Sequence, residues 1–144
     1  MTELIEILHR EDCSLVLRDA QGHVRTFFKQ GVRDLEDLLD HEPETLRGAA
    51  VADKVVGKAA AAMMAHGGVR EVYGEVMSRK ALPMLEQGGI AFSWGELIDA
   101  VVIPEGDARC PLETIVGPAG TPGQAVSLLR EHWAEMRRKN EKSS

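Results

Sequence analysis

Apolar residues recur at Leu4, Ile5 and Leu8 behind Thr2, a spacing that predicts an opening helix with Thr2 as its N-cap. The runs "CSLVLRD" and "HVRTFFKQ" are rich in β-formers and are separated by "AQG", whose glycine suits a tight turn; together they predict an antiparallel hairpin. In "VRDLEDLLDHEPE", Leu35, Leu38 and Leu39 share one face of a helix that should end near Pro43. "GAAVA" reads as a short strand or approach loop. Asp53 is then the expected N-cap of an alanine-rich helix that stops at Gly67 and Gly68.

Beyond those glycines, "VREVYGEVM" reads as a strand, "SRKALPMLEQGG" as a short helix and "IAFSW" as another strand. "LIDAVVIPEG" is apolar but short, and fits strand or helix equally. "CPLETIVG" suits one or two helical turns with proline in the first. After "GPAGTPGQ" the chain resumes as a charged helix in which Val126, Leu129, Trp133 and Met136 form an apolar seam. A hairpin followed by alternating strands and helices predicts the α/β class, a sandwich around a mixed sheet of about five strands. The expected division is an α/β domain over 1–117, a Pro/Gly linker over 118–124 and an appended helix and tail over 125–144. The seam of that tail should dock on its own domain or across a homo-oligomer.

Composition narrows this picture. A chain of 144 residues that is 44% hydrophobic can bury one substantial core. Its net charge of -6, from 17 basic and 23 acidic residues, argues against a general nucleic-acid or membrane-surface binder. The sequence has no long apolar run, and "MTELIEILHRED" lacks the regions of a signal peptide, so a cytoplasmic location is expected. Cys13 and Cys110 are too few for a disulfide framework and should remain thiols.

The order of elements, with "VADKVVGKAAAAM", "GVREVYGEVMSRKAL" and "CPLE", resembles a small prokaryotic family without an assigned activity that has a cytidine deaminase-like fold. The resemblance covers roughly residues 10–117, and DKVVGK is its most specific part. It implies a three-layer α/β/α sandwich with a ligand pocket where the second and third core helices begin. Zinc deaminases place a His or Cys, then a Glu, at the start of one of these helices and Pro-Cys-x-x-Cys at the start of the next. Here Ala52, Asp53 and Lys54 stand at the first start, and Ser78, Arg79, Lys80 and Ala81 at the second. The histidines at 9, 23, 41, 66 and 132 show no paired ligand spacing either, so no metal or other cofactor is expected.

The replacements have a direction. Lys54, Lys58, Arg79 and Lys80 would repel a cation and attract an anion, and converging helix N-termini offer unpaired N–H groups to a phosphate or carboxylate. Gly57 suits a close approach of ligand or backbone; its plainer reading, with Ala59 to Ala62, is tight helix packing. The expected function is binding of a phosphate-bearing, nucleotide-like small molecule by Asp53, Lys54, Gly57, Lys58, Glu75, Ser78, Arg79, Lys80 and Cys110. The plainer reading makes Asp53 a cap and the lysines solvated or paired with Glu75 or a neighbouring acid.

Two groups are candidates for covalent chemistry: Lys54 as a Schiff-base amine and Cys110 as a nucleophile or redox sensor, though a cysteine more commonly fills core space. Glu75, Asp53 and Glu113 are candidates to hold a ribose or act as a base, while Tyr73 and Trp94 suit core or pocket wall. The sequence has no G-x-x-x-x-G-K-[ST] phosphate loop. The competing functions are a regulatory or assembly module acting through protein contacts and an enzyme using Lys54 or Cys110 covalently.

Overall fold

The fold is known from a computed structural model that describes residues 1–29, 32–100 and 110–143. Helix α1 (Thr2–Glu11) leads into a hairpin of β1 (Leu15–Arg18) and β2 (Val24–Phe27), followed by α2 (Arg33–His41) and α3 (Pro43–Leu46). Strand β3 (Ala50–Val56) feeds α4 (Lys58–Gly67); β4 (Glu71–Ser78) feeds a 3-10 turn (Arg79–Ala81) and α5 (Leu82–Gln87). Strand β5 (Ala91–Ile98), α6 (Cys110–Val116) and α7 (Pro122–Ser143) complete the described chain.

The five strands form one mixed sheet in the order β2-β1-β3-β4-β5. β1 runs antiparallel to both neighbours, whereas β3, β4 and β5 are mutually parallel. Alternation along each strand sorts side chains between two faces. Leu15, Leu17 and Val51 enter the main core with α2, α4, α5, α6 and α7. Val16, Ala50, Ala52 and Tyr73 face the other way, under Leu4 and Leu8 of α1. Helices thus cover both faces unequally, and most of β5 is exposed.

The hairpin turn is set by Asp19, whose Oδ1 accepts from the backbone N–H of Gln21 and of His23, each at 2.9 Å. Gly22 beside it has φ +90, a conformation that strains other residues. Helix α4 is the centre of the thicker layer. Ala59 through Met64 are all buried, which only small and flexible side chains allow where α5, α6 and α7 all approach.

Two local expectations change, the caps at Asp53 and Thr2. Asp53 does not cap a helix: β3 continues through Lys54 to Val56, because Val55 and Val56 pair in parallel register with Val76 and Met77, and β-branched residues suit that ladder. Gly57 is the N-cap of α4 instead. Thr2 lies inside α1, with Met1 at its N-cap, and Pro43 opens α3 as well as following α2. The undecided piece "LIDAVVIPEG" contributes Leu97 and Ile98 to β5; 101–109 lie outside the described residues.

The final helix begins at Pro122, inside the stretch expected to be linker. Its Ala125, Val126, Leu129 and Trp133 are buried in the main core, so the seam docks on its own domain. Met136, the last seam residue, is 45% exposed.

Candidate functional site

The parallel strands β3 and β4 end side by side, and each hands the chain to a helical segment at its C-terminal end. Ligand crevices in open α/β sheets form at such ends. Here a cavity of about 460 Å³ opens there, lined among others by Lys58, Ser78, Lys80, Met84, Glu113 and Gly117. Lys58 is the first residue of α4, and its Nζ donates to the carbonyl of Gly117 at 2.9 Å. Ser78 is buried; its Oγ accepts from the Lys80 N–H at 3.1 Å and donates to the carbonyl of Asp99 at 3.5 Å.

Gly57 has no side chain with which to cap α4, so the first N–H groups of the helix need another acceptor. Glu113 of α6 stands near them: its half-buried carboxyl lines the same cavity as Lys58, and the backbone N–H groups of Ala59 and of Lys58 favour its charged form. Burial pushes this carboxyl above the usual glutamate range, against the opposing pull of those two N–H groups and of the Lys80 and Lys58 ammonium groups. The cavity therefore combines two ammonium groups, a hydroxyl and a carboxyl within one concave surface. Such a set has donors suited to an oxyanion and, at Glu113, an acceptor suited to a hydroxyl or amine.

Of the expected ligand residues, Lys58, Ser78 and Lys80 come together here with Gly57 beneath them. Asp53, Lys54, Glu75 and Arg79 are not among its described lining residues. Asp53 is buried within β3, where its Oδ1 accepts from the Val55 N–H at 3.3 Å. Lys54 donates to Asp12 Oδ1 at 2.5 Å, the plainer salt-bridge reading. Glu75 lies on the α1 face, hydrogen-bonded to His9 Nε2 and to the Tyr73 hydroxyl at 3.1 Å. Arg79 Nε donates to Asp99 Oδ1 at 3.1 Å.

Tyr73 belongs to the smaller core, whereas Trp94 is exposed and stacks on Phe92 with ring centroids 6.3 Å apart. Cys110 begins α6; its side chain lies outside the described residues. Among the described residues, no three His, Cys, Asp or Glu side chains are grouped to hold a metal ion, and no helix is long and apolar enough to cross a membrane.

A family model described as a domain of unknown function, DUF1893 (TM1506), matches residues 3–133. The chain belongs to the DUF1893 family. The match takes in α1 and most of α7, so the family part is longer than the span from 10 to 117 read from motifs, and the last helix belongs to it up to Trp133. A crystal structure of a DUF1893 family protein, TM1506 from Thermotoga maritima, is similar to this chain at 25% identity with a TM-score of 0.77. The similarity covers 91% of this chain and 88% of that one. No curated protein matches the chain.

Proposed function

We propose that this DUF1893 member is a zinc-free, deaminase-like domain that binds a phosphate-bearing, nucleotide-like small molecule in the cavity between α4, the 3-10 turn and α6. The observation that carries the reading is the convergence of Lys58, Lys80 and the Ser78 hydroxyl in a cavity at the C-terminal ends of β3 and β4. Its volume of about 460 Å³ lies within the range of small-molecule sites, about 300–1,000 Å³. Two facts support the deaminase-like part: the mixed strand order, and two helical starts meeting at one cavity. Gly57–Lys58 and Ser78–Lys80 stand at those starts, where zinc deaminases place thiolates or imidazoles.

A thermal-shift panel of nucleoside mono- and diphosphates, dinucleotides and sugar phosphates tests the reading. At least one member should raise the melting temperature of the wild type and have no effect on K58Q/K80Q. A panel without effect on either protein contradicts it. The competing reading as an assembly module draws on one observation, the exposed edge strand β5 with Trp94 42% exposed. On that reading a self-associating protein should become monomeric on Trp94→Ser in light scattering, with the phosphate panel silent.

A further inference from the structure

The cavity contains a carboxyl group that a simple oxyanion site would exclude. Glu113 lines one cavity with Lys58 of α4 and Lys80 of the 3-10 turn, and both ammonium groups, together with the first N–H groups of α4, act on its carboxyl. A carboxylate held in this way uses the same backbone donors and the same ammonium groups that an incoming anion needs. Its like charge also opposes that anion within a few ångströms in a partly desolvated space.

We infer that Glu113 is the specificity-determining residue of the cavity: it is an internal substitute for the ligand's anionic group, and a simple oxyanion enters only together with a proton. The inference rests on the phosphate reading above. Binding then balances as one proton added to the Glu113 carboxylate for each anion bound, with no bond to carbon made or broken. The neutral carboxyl releases its hold on the N–H groups of Lys58 and Ala59 to the anion and can donate its own O–H to it. Burial raises the pKa of Glu113, the direction that favours this uptake. A ligand carrying an amine or hydroxyl beside its phosphate avoids the need for a proton, because Glu113 can accept from that donor. The cavity thereby favours sugar phosphates and nucleotides over plain anions.

Sulfate is the suitable probe, since its charge is constant across the range in which a raised glutamate titrates. Calorimetric titration of the full chain at about pH 5.5 and about pH 8 should show sulfate binding roughly tenfold tighter at the lower pH. Repeating the titration between those two pH values in two buffers of different ionisation enthalpy should show proton uptake. Glu113→Gln, which retains an acceptor for one helix N–H, should bind sulfate at the higher pH as tightly as the wild type does at the lower, with no pH dependence. Wild-type binding that is independent of pH, without proton uptake, overturns the inference, and so does weaker binding by a folded Glu113→Gln. The wild-type measurement alone decides the matter if that variant does not fold. Loss of sulfate binding in K58Q/K80Q upholds the phosphate reading whatever Glu113 does. Binding unchanged in K58Q/K80Q removes that reading and the inference with it, and binding absent from both wild type and Glu113→Gln overturns the inference while the phosphate panel decides the reading.

Discussion

Lys54 and Lys58 look equivalent in the sequence, one helical turn apart, yet the fold sends them to different places. Lys54 stays on β3 and pairs with the exposed Asp12, whereas Lys58 opens α4 at the cavity. Lys54→Gln should therefore leave anion binding intact in the titration that K58Q/K80Q abolishes. Glu75 belongs with Lys54 as a fastening between the sheet and α1. Its hydrogen bond with His9, then that from Tyr73, hold its carboxyl below the ordinary glutamate value. A carboxyl lowered in the folded state stabilises above its unfolded value, and that contribution is lost as pH falls through the folded one. Urea midpoints of wild type and Glu75→Gln should thus differ at neutral pH and converge below about pH 4; a constant gap would show that the charge plays no part. The cavity lysines were legible as charges that repel a cation and attract an anion. Glu113 was legible only as one carboxylate among several, because its link to Lys58 and Ala59 joins segments far apart in sequence.

Elements with strong periodicity were legible as types, and their ends were not. The hairpin, α2, β4 and α7 follow their apolar spacing. The start of α4 was misplaced because DKVVGKAAAA contains both β-branched and helix-forming residues, and the parallel ladder to Val76 and Met77 decides for strand up to Val56. Pairing with a distant strand leaves no local sign. Gly57 had two readings, close approach of ligand or backbone and tight helix packing with Ala59 to Ala62, and the burial of those alanines supports packing. Ala61, fully buried in the middle of α4, should not accept a larger side chain: Ala61→Leu is expected to cost about 1–3 kcal/mol in urea unfolding. A change within error would mean that the layer around α4 is looser than its burial indicates.

At the scale of the whole molecule, α7 is structural. Ala125, Val126, Leu129 and Trp133 lie in the main core with α4, and the family match extends through Trp133. The pattern of the seam was legible, but its partner was not, since a helical stripe records what it buries and not against what. A chain ending at Gly117 should be unfolded or molten by near-UV circular dichroism, and Leu129→Ala in the full chain should cost about 2–5 kcal/mol. A shortened chain with wild-type melting would refute this packing. The same layer holds α4 and α6 together, and so holds Glu113 against Lys58.

Calorimetric titration of wild type, Lys54→Gln and K58Q/K80Q with the phosphate compound that stabilises the wild type most tests the cavity most directly. Each charge-assisted contact contributes about 1.5–3 kcal/mol, so removing the two cavity lysines should weaken binding by at least about tenfold to a hundredfold. Lys54→Gln should bind as the wild type does, and added salt should weaken the wild-type complex. Equal affinity in all three proteins, or a loss confined to Lys54→Gln, would contradict a phosphate site at the start of α4.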